Sequence, residues 1–118
     1  MKDTATLAGG SSPGGTITFQ LYGPSATANC SGTAVDTETA NVNGNGSYTT
    51  PNGFTPVKAD IYWWTASYGG DSGNNPAHSN CGDEQVTVSQ LSPGLTTAPS
   101  MTGNGTVGST TVTDTATL

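Results

Sequence analysis

The chain has 118 residues, enough for about one domain with a modest hydrophobic core. Only 8% of the residues are charged, and two lysines against eight carboxylates give a formal net charge of -6. Such a chain has no positively charged surface for phosphate groups, and no apolar run approaches the roughly 18 residues of a membrane-spanning helix. We therefore expect neither nucleic acid as a partner nor insertion into a membrane.

Alternating apolar and polar residues predict short β-strands, because no window of about eleven residues has helical apolar spacing without Gly, Pro or clustered Thr. The first strand is a weak candidate at Thr4 to Leu7. The second, TITFQLYG from Thr16, is stronger, since its apolar residues share one face while its polar residues and Tyr22 share the other. The predicted core face of this strand consists of Ile17, Phe19 and Leu21.

The segment DIYWWTASY predicts a long strand with large side chains, after two weaker strands. The weaker strands are predicted at Thr33 to Val42 and at Ser47 to Thr50, extending toward Phe54. The inward face of the long strand is predicted to consist of Tyr62, Trp64, Ala66 and Tyr68. Trp63 and Ile61 then face outward, as a candidate contact surface for a sister subunit or a glycan. The alternative is that Trp63 packs against a neighbouring loop.

A closing strand, EQVTVSQL, places Val86 and Val88 on its core face. Segments rich in Gly, Pro, Asn and Ser separate the predicted strands, and such residues favour turns. Strands that recur in this way, with turns between them, predict an all-β antiparallel β-sandwich in which two sheets each bury one face.

The two cysteines, Cys30 and Cys81, lie in polar loop sequence without a C-x-x-C pair. A disulfide is therefore favoured over a metal site, and it would close a span of about 50 residues. Two unrelated buried thiols are the alternative, which the polar neighbourhoods of both residues disfavour. A disulfide in turn indicates an oxidising compartment.

The pentapeptide DTATL occurs twice, at Asp3 to Leu7 and at Asp114 to Leu118, with an offset of 111 residues. An offset of this size matches one sandwich domain and suggests a tandem array, although chance identity among Thr and Ala residues is an alternative. We predict that residues 1–92 form one sandwich repeat. Residues 93–118 are then a linker plus the first strands of the following repeat, able to fold back or exchange with a neighbour.

Four segments of the chain follow one another in a distinctive order, namely DTATLAGG with PGGTITFQLYG, GNGSYTTPNGFTP, IYWWTASYGGDSGNNP and EQVTV. Together they cover nearly all of Asp3 to Gln90, and the chain resembles the bacterial immunoglobulin-like repeats of the group 3 type. The resemblance implies a seven-stranded immunoglobulin-like sandwich, strung in tandem on secreted or surface proteins as stalks, spacers or adhesion modules. It implies no common catalytic residues, and the chain departs from the pattern at VKADIY and at Trp63.

The resemblance also implies a first strand before each DTATL-type strand, and the stretch that looks like it, roughly Leu95 to Met101, precedes the second copy. The two copies, Asp3 to Leu7 and Asp114 to Leu118, can then compete for a single position in the sandwich. We expect the tail to fold back or to pair with a neighbouring copy. Pairing with a neighbour would continue into fibres, because an unpaired sheet edge is a template for a further strand.

Residues that could carry catalysis are few and scattered. His78 is the single histidine of the chain, and no G-x-S-x-G segment accompanies it. Asp83 and Glu84 are adjacent and would face opposite ways in a strand, unlike the two carboxylates of a glycosidase. The segment DSGNN from Asp71 is predicted as a turn, with weak calcium binding as the alternative. We expect no enzymatic activity, no metal site and no cofactor.

One covalent alternative is an internal ester bond of the kind found in some tandem stalk domains. It would join Thr4 or Thr6 to Gln85, assisted by His78 and nearby acidic residues, since the hydroxyl must be activated by a base and the amide must lose ammonia. An isopeptide bond from Lys58 is less favoured, because this lysine lies in turn-like sequence.

The sequence therefore predicts a non-enzymatic module, extracellular or on the cell surface, that forms a stalk or filament by tandem or intermolecular strand pairing. Its partners would be copies of itself or adjacent repeats. The alternative is an adhesin-type domain that recognises a surface glycan or protein through the loop from Pro76 to Cys81. Met1 leads straight into a polar strand and not into a signal-peptide pattern, so we expect that, if the parent protein is secreted, this chain is a piece excised from it.

Overall fold

The computed structural model describes residues 1–90, 96–99 and 114–117. Residues 1–90 contain seven strands in two antiparallel sheets, one of two strands and one of five, which pack together. These strands are β1 (Thr4–Leu7), β2 (Thr16–Tyr22), β3 (Asp36–Asn41), β4 (Gly46–Thr49), β5 (Asp60–Tyr68), β6 (Ala77–His78) and β7 (Glu84–Val88). The prediction of an antiparallel β-sandwich of about seven strands is confirmed. The described residues include no helix that could cross a membrane.

The smaller sheet consists of β1 and β4, with Thr4 opposite Thr49 and Leu7 opposite Gly46. In the larger sheet β2 lies between β3 and β5, while β6 and β7 both pair with the far edge of β5. Leu21 faces Trp64 across the pair of β2 and β5, and Trp64 also faces Glu84 of β7. The strand β5 is therefore the centre of the larger sheet.

The core lies between the two sheets and follows the alternation of β2 and β5, as the sequence predicts. Its buried residues are Ile17, Phe19, Leu21, Val42, Tyr62, Trp64 and Tyr68. Val86 and Val88, which the sequence assigns to the core, are half-buried and pack against it. Ala5 and Leu7 of β1 contact the same cluster from the smaller sheet, so β1 is one of two strands that cover it.

Trp63, a candidate with Ile61 for an outward contact surface, is only 7% exposed, and the structure fits the alternative that it packs against a neighbouring loop. Trp63 does lie on the outer face of the sheet, but the loop after β2 folds over it. The Trp63 indole N–H donates to the carbonyl of Ser25 at 3.0 Å, and the Ser25 N–H donates to the carbonyl of Ile61 at 2.8 Å. Tyr22, expected to face water, is buried opposite Trp63 in the register. Ile61 is half-buried.

Boundaries of the weaker strands differ from those predicted. The strand expected at Thr33 to Val42 is shortened to β3, and Val42 is buried beyond its end. The predicted extension of β4 toward Phe54 is not a strand, since β4 ends at Thr49. Phe54 is instead held by the amino group of Met1, which donates to the Phe54 carbonyl at 2.6 Å. The two-residue strand β6 was not predicted, because it lies in a Gly/Asn/Pro-rich stretch that favours turns.

The predicted disulfide is present between Cys30 and Cys81, which are 51 residues apart in the chain. Cys30 lies in the loop after β2, and Cys81 lies between β6 and β7. The bridge therefore connects the loop that covers Trp63 to the segment that leads into β7.

Beyond residue 90 the structure describes one further pair of strands, β8 (Thr96–Pro99) and β9 (Asp114–Thr117). They form an antiparallel two-stranded sheet of their own, with Thr96 opposite Thr117 and Thr97 opposite Ala116. The second DTATL segment is thus paired with the stretch expected to resemble a first strand. Leu95, Met101 and Leu118, which bound the predicted segments, lie outside the described residues.

We expect the disulfide to be a main support of this sandwich, because its core is small. Replacing both cysteines (Cys30→Ser with Cys81→Ser) should lower the free energy of unfolding by about 4 kcal/mol, through the restored freedom of the unfolded loop. Urea unfolding followed by tryptophan fluorescence measures this loss. Ser31→Ala beside the bridge is the control, and an unchanged midpoint in the double variant would contradict the expectation.

Candidate functional site

The candidate functional site is the edge of β1 that faces away from β4, together with the cavity beside it. The cavity has a volume of about 350 Å³ and is lined by β1, by β5, β6 and the start of β7, and by Ile17 of β2. Trp64, Ala66 and Tyr68 contribute the apolar part of its wall. The cavity therefore lies between the two sheets, along the side of β1 that no described strand covers.

Hydrogen bonds at Asp3 define which edge of β1 is open. The Asp3 N–H donates to Thr50 Oγ1 at 3.2 Å and its carbonyl accepts from the Thr50 N–H at 3.0 Å, so its peptide groups face the β4 side. Peptide groups of successive residues point to opposite edges of a strand, so those of Thr4 and Thr6 face the cavity side. The Thr4 N–H accordingly donates to the Asp3 carboxylate at 2.8 Å, where a strand partner would otherwise bind.

The side chains of β1 divide between two faces. The hydroxyls of Thr4 and Thr49 are 2.8 Å apart, and those of Thr6 and Ser47 are 3.1 Å apart, on the outer face of the smaller sheet. Ala5 and Leu7 are half-buried against the core. The strand thus presents hydroxyl pairs to water and apolar side chains to the interior.

Asp3 and Glu84 bring two carboxyl groups into contact at one end of the cavity. A hydrogen bond to the Asp3 carboxylate, followed by burial and by repulsion between the two charges, raises the pKa of Glu84 to about 7. Asp3 itself is buried, whereas Glu84 is exposed on its other side. A protonated carboxyl group therefore joins the two sheets below about pH 7, a contact that has no local signal in the sequence.

The residues of the possible ester bond are not brought together. The hydroxyls of Thr4 and Thr6 are directed toward β4, as described above. Gln85 lies opposite Trp63 and next to Glu84, so it points to the outer face of the other sheet. His78 is exposed on β6 and lines the cavity, away from the Gln85 side chain. This arrangement does not place the Gln85 amide beside either hydroxyl.

The DSGNN turn uses its carboxylate to hold loops together. Asp71 accepts hydrogen bonds from the N–H groups of Gly14 and Gly73, both at 2.8 Å, and from the Asn74 amide at 2.9 Å. These bonds lower the pKa of Asp71 to about 2. Both carboxylate oxygens thus have protein donors, which favours the turn over calcium binding. Within the described ranges no three His, Cys, Asp or Glu residues are grouped as metal ligands would be.

Glu38 is a second buried carboxylate that the sequence analysis missed. It accepts hydrogen bonds from the N–H groups of Asn52 and Gly53, both at 2.7 Å. Burial acts to raise the pKa of Glu38, but these two backbone bonds, a hydrogen bond with Asp36 and the charge of Lys2 together leave the pKa lowered. The sequence signal for this contact is the PNG turn, because the N–H groups of such a turn require an acceptor. Glu38 holds that turn against β3 and has no role at the cavity.

The Asp3 and Glu84 contact should make stability depend on pH. Glu84 has an ordinary pKa of 4.5 and a folded-state pKa of about 7, so the folded state holds its proton more tightly. Its stabilising effect is complete below pH 4.5 and is lost as the pH rises toward 7. Glu84→Gln, which keeps a neutral donor, should remove this fall, as measured by urea unfolding at acid and neutral pH.

Asp83→Asn is the matched control, since Asp83 is adjacent in sequence but accepts a bond from the Asn80 N–H at 2.9 Å instead of contacting Asp3. This variant should keep the fall in stability. His78 also lines the cavity and is unchanged in both variants. If Glu84→Gln retains the pH dependence of the unsubstituted protein, the carboxyl contact is not its source.

Comparisons with protein-family models, with curated proteins and with solved structures found no match to this chain. The features that bear on function are therefore the open edge of β1, the cavity beside it and the repeated pentapeptide.

Proposed function

We propose that the chain is a non-enzymatic extracellular structural module that forms a stalk or filament by pairing β-strands between adjacent repeats or copies. The observation that carries this proposal is the different pairing of two identical segments. The first DTATL segment pairs with β4 inside the sandwich, while the second pairs with β8 outside it. On this proposal, one sequence both completes a domain and begins the next one.

The fold and the repeat spacing support this role. A sandwich whose seven strands fall within residues 1–90 fits the offset of 111 residues between the two DTATL segments. The proposal also takes up the resemblance to the bacterial immunoglobulin-like repeats of the group 3 type. Repeats of that kind serve as stalks and spacers. This role requires a stable domain and a defined connection to the next domain, but no active site.

An extracellular or cell-surface location is part of the proposal. The Cys30 to Cys81 disulfide supports it, because such bonds form and persist in oxidising environments. The surface also suits a protein outside the cell, since it is rich in uncharged polar residues and has a net charge of -6. A non-enzymatic role is supported by the separation of His78, Gln85 and the β1 hydroxyls.

An adhesin-type binding domain is the second candidate, and one observation favours it. The segment from Pro76 to Cys81 is largely exposed, and the disulfide fixes its C-terminal end to the loop after β2. A loop held in this way could present its side chains to a surface glycan or protein. This function does not require the chains to associate with one another, which distinguishes it from the first.

Self-association tests the proposed function. The full chain should form oligomers whose mass grows with concentration, whereas a chain that ends at Ser92 should stay monomeric, because it has lost both strands of the C-terminal pair. Light scattering after size-exclusion chromatography measures the mass, and electron microscopy reports filaments. A full chain that remains monomeric at every concentration, and that binds glycans on an array, would reject the structural role in favour of the adhesin.

A further inference from the structure

We propose that the open edge of β1 is an acceptor site for the β8 segment, Thr96–Pro99, of a second copy of this chain. The incoming strand takes the register that β8 already has with β9. This inference depends on the proposed function and specifies it further, because it names the strand, the edge and the register by which copies join.

The pairing of β8 with β9 supplies the template. The segment Asp114–Thr117 has the same four residues as Asp3 to Thr6, with an offset of 111. A strand that pairs with β9 therefore meets the same sequence on β1. Transferring the observed register places Thr96 opposite Thr6, Thr97 opposite Ala5, Ala98 opposite Thr4 and Pro99 opposite Asp3.

The cavity determines which edge of β1 receives the strand. One edge is occupied by β4, and the other borders the cavity of about 350 Å³. The peptide groups of Thr4 and Thr6 face this second edge, where the Thr4 N–H is bound by the Asp3 carboxylate. An antiparallel strand laid along this edge would pair with these groups and would cover the cavity from outside.

The floor of the cavity also suits an additional strand. Its wall includes Trp64, Ala66 and Tyr68, and the buried indole N–H of Trp64 has no hydrogen-bond partner among the described residues. Buried donors in folded proteins nearly always have an acceptor. A strand laid along the β1 edge would turn alternate side chains toward this floor and remove its apolar surface from water.

The second copy is favoured as the source of the strand because, within one chain, β8 pairs with β9 and no described strand pairs with the edge of β1 that faces away from β4. In the part of the chain that the structure describes, the sheet of β8 and β9 has two strands, and an isolated pair of this kind is at best marginally stable in water. Transfer of β8 to a neighbouring β1 exchanges this pair for a sheet of three strands over a core. Since donor and acceptor are different surfaces, the contact is heterologous and continues from copy to copy.

Cysteine cross-linking between two full-length chains tests the register. One chain carries Thr6→Cys and the other, with an affinity tag, carries Thr96→Cys. Residues directly opposite in an antiparallel pair lie side by side on one face, so these cysteines should form a mixed disulfide under mild oxidation. In the matched control the tagged chain carries Thr97→Cys instead. Successive side chains of a strand point to opposite faces, so this cysteine faces away from the one at position 6.

We expect the pair of Thr6→Cys and Thr96→Cys to give several-fold more mixed disulfide than the control pair. Peptide mapping identifies the two cysteines joined in each product. Equal yields would overturn the proposal. If the Thr6→Cys chain does not fold, the pair Thr4→Cys with Ala98→Cys lies two residues along the same register and decides the question in the same way. Chains that associate without either mixed disulfide would reject this register while leaving the proposed function standing. Chains that do not associate would reject both.

Discussion

Backbone hydrogen bonding along β1 is the constraint on which the rest of the structure depends. A strand must satisfy the peptide groups on both of its edges, and β1 has a described partner on one edge only. Because the smaller sheet has two strands and the larger has five, the smaller cannot cover the whole inner face of its partner. The cavity beside β1 is the uncovered part of that face. Strand addition at β1 would resolve both the open edge and the incomplete core.

Loop anchoring compensates for the small core and the scarcity of charge pairs. Only 8% of the residues are charged, yet two carboxylates, Glu38 and Asp71, each accept several backbone or amide N–H bonds from turns. The disulfide between Cys30 and Cys81 joins two further loops. Trp63 is held beneath the loop that begins near Ser25. The chain thus uses several of its few charged and aromatic groups to fix the connections between strands.

Much of the fold could be predicted from the sequence, because alternation directly reports which face of a strand is buried. Phe19, Leu21 and Trp64 follow this pattern, and the disulfide follows from two cysteines in polar loops. Trp63 could not be placed in this way, because alternation identifies the outer face but not a loop that folds over it. The contact of Asp3 with Glu84 was also missed, since it joins strands of different sheets and has no local signal.

Amide hydrogen exchange at β1 tests the central claim most directly. The Thr6 N–H lies on the open edge, whereas the peptide groups of Ala5 face β4 and serve as an internal reference. If another copy adds its β8 segment to this edge, exchange at Thr6 should slow as the protein concentration rises, while exchange at Ala5 stays constant. Exchange at Thr6 that remains fast and independent of concentration, in samples that contain assembled chains, would contradict the account.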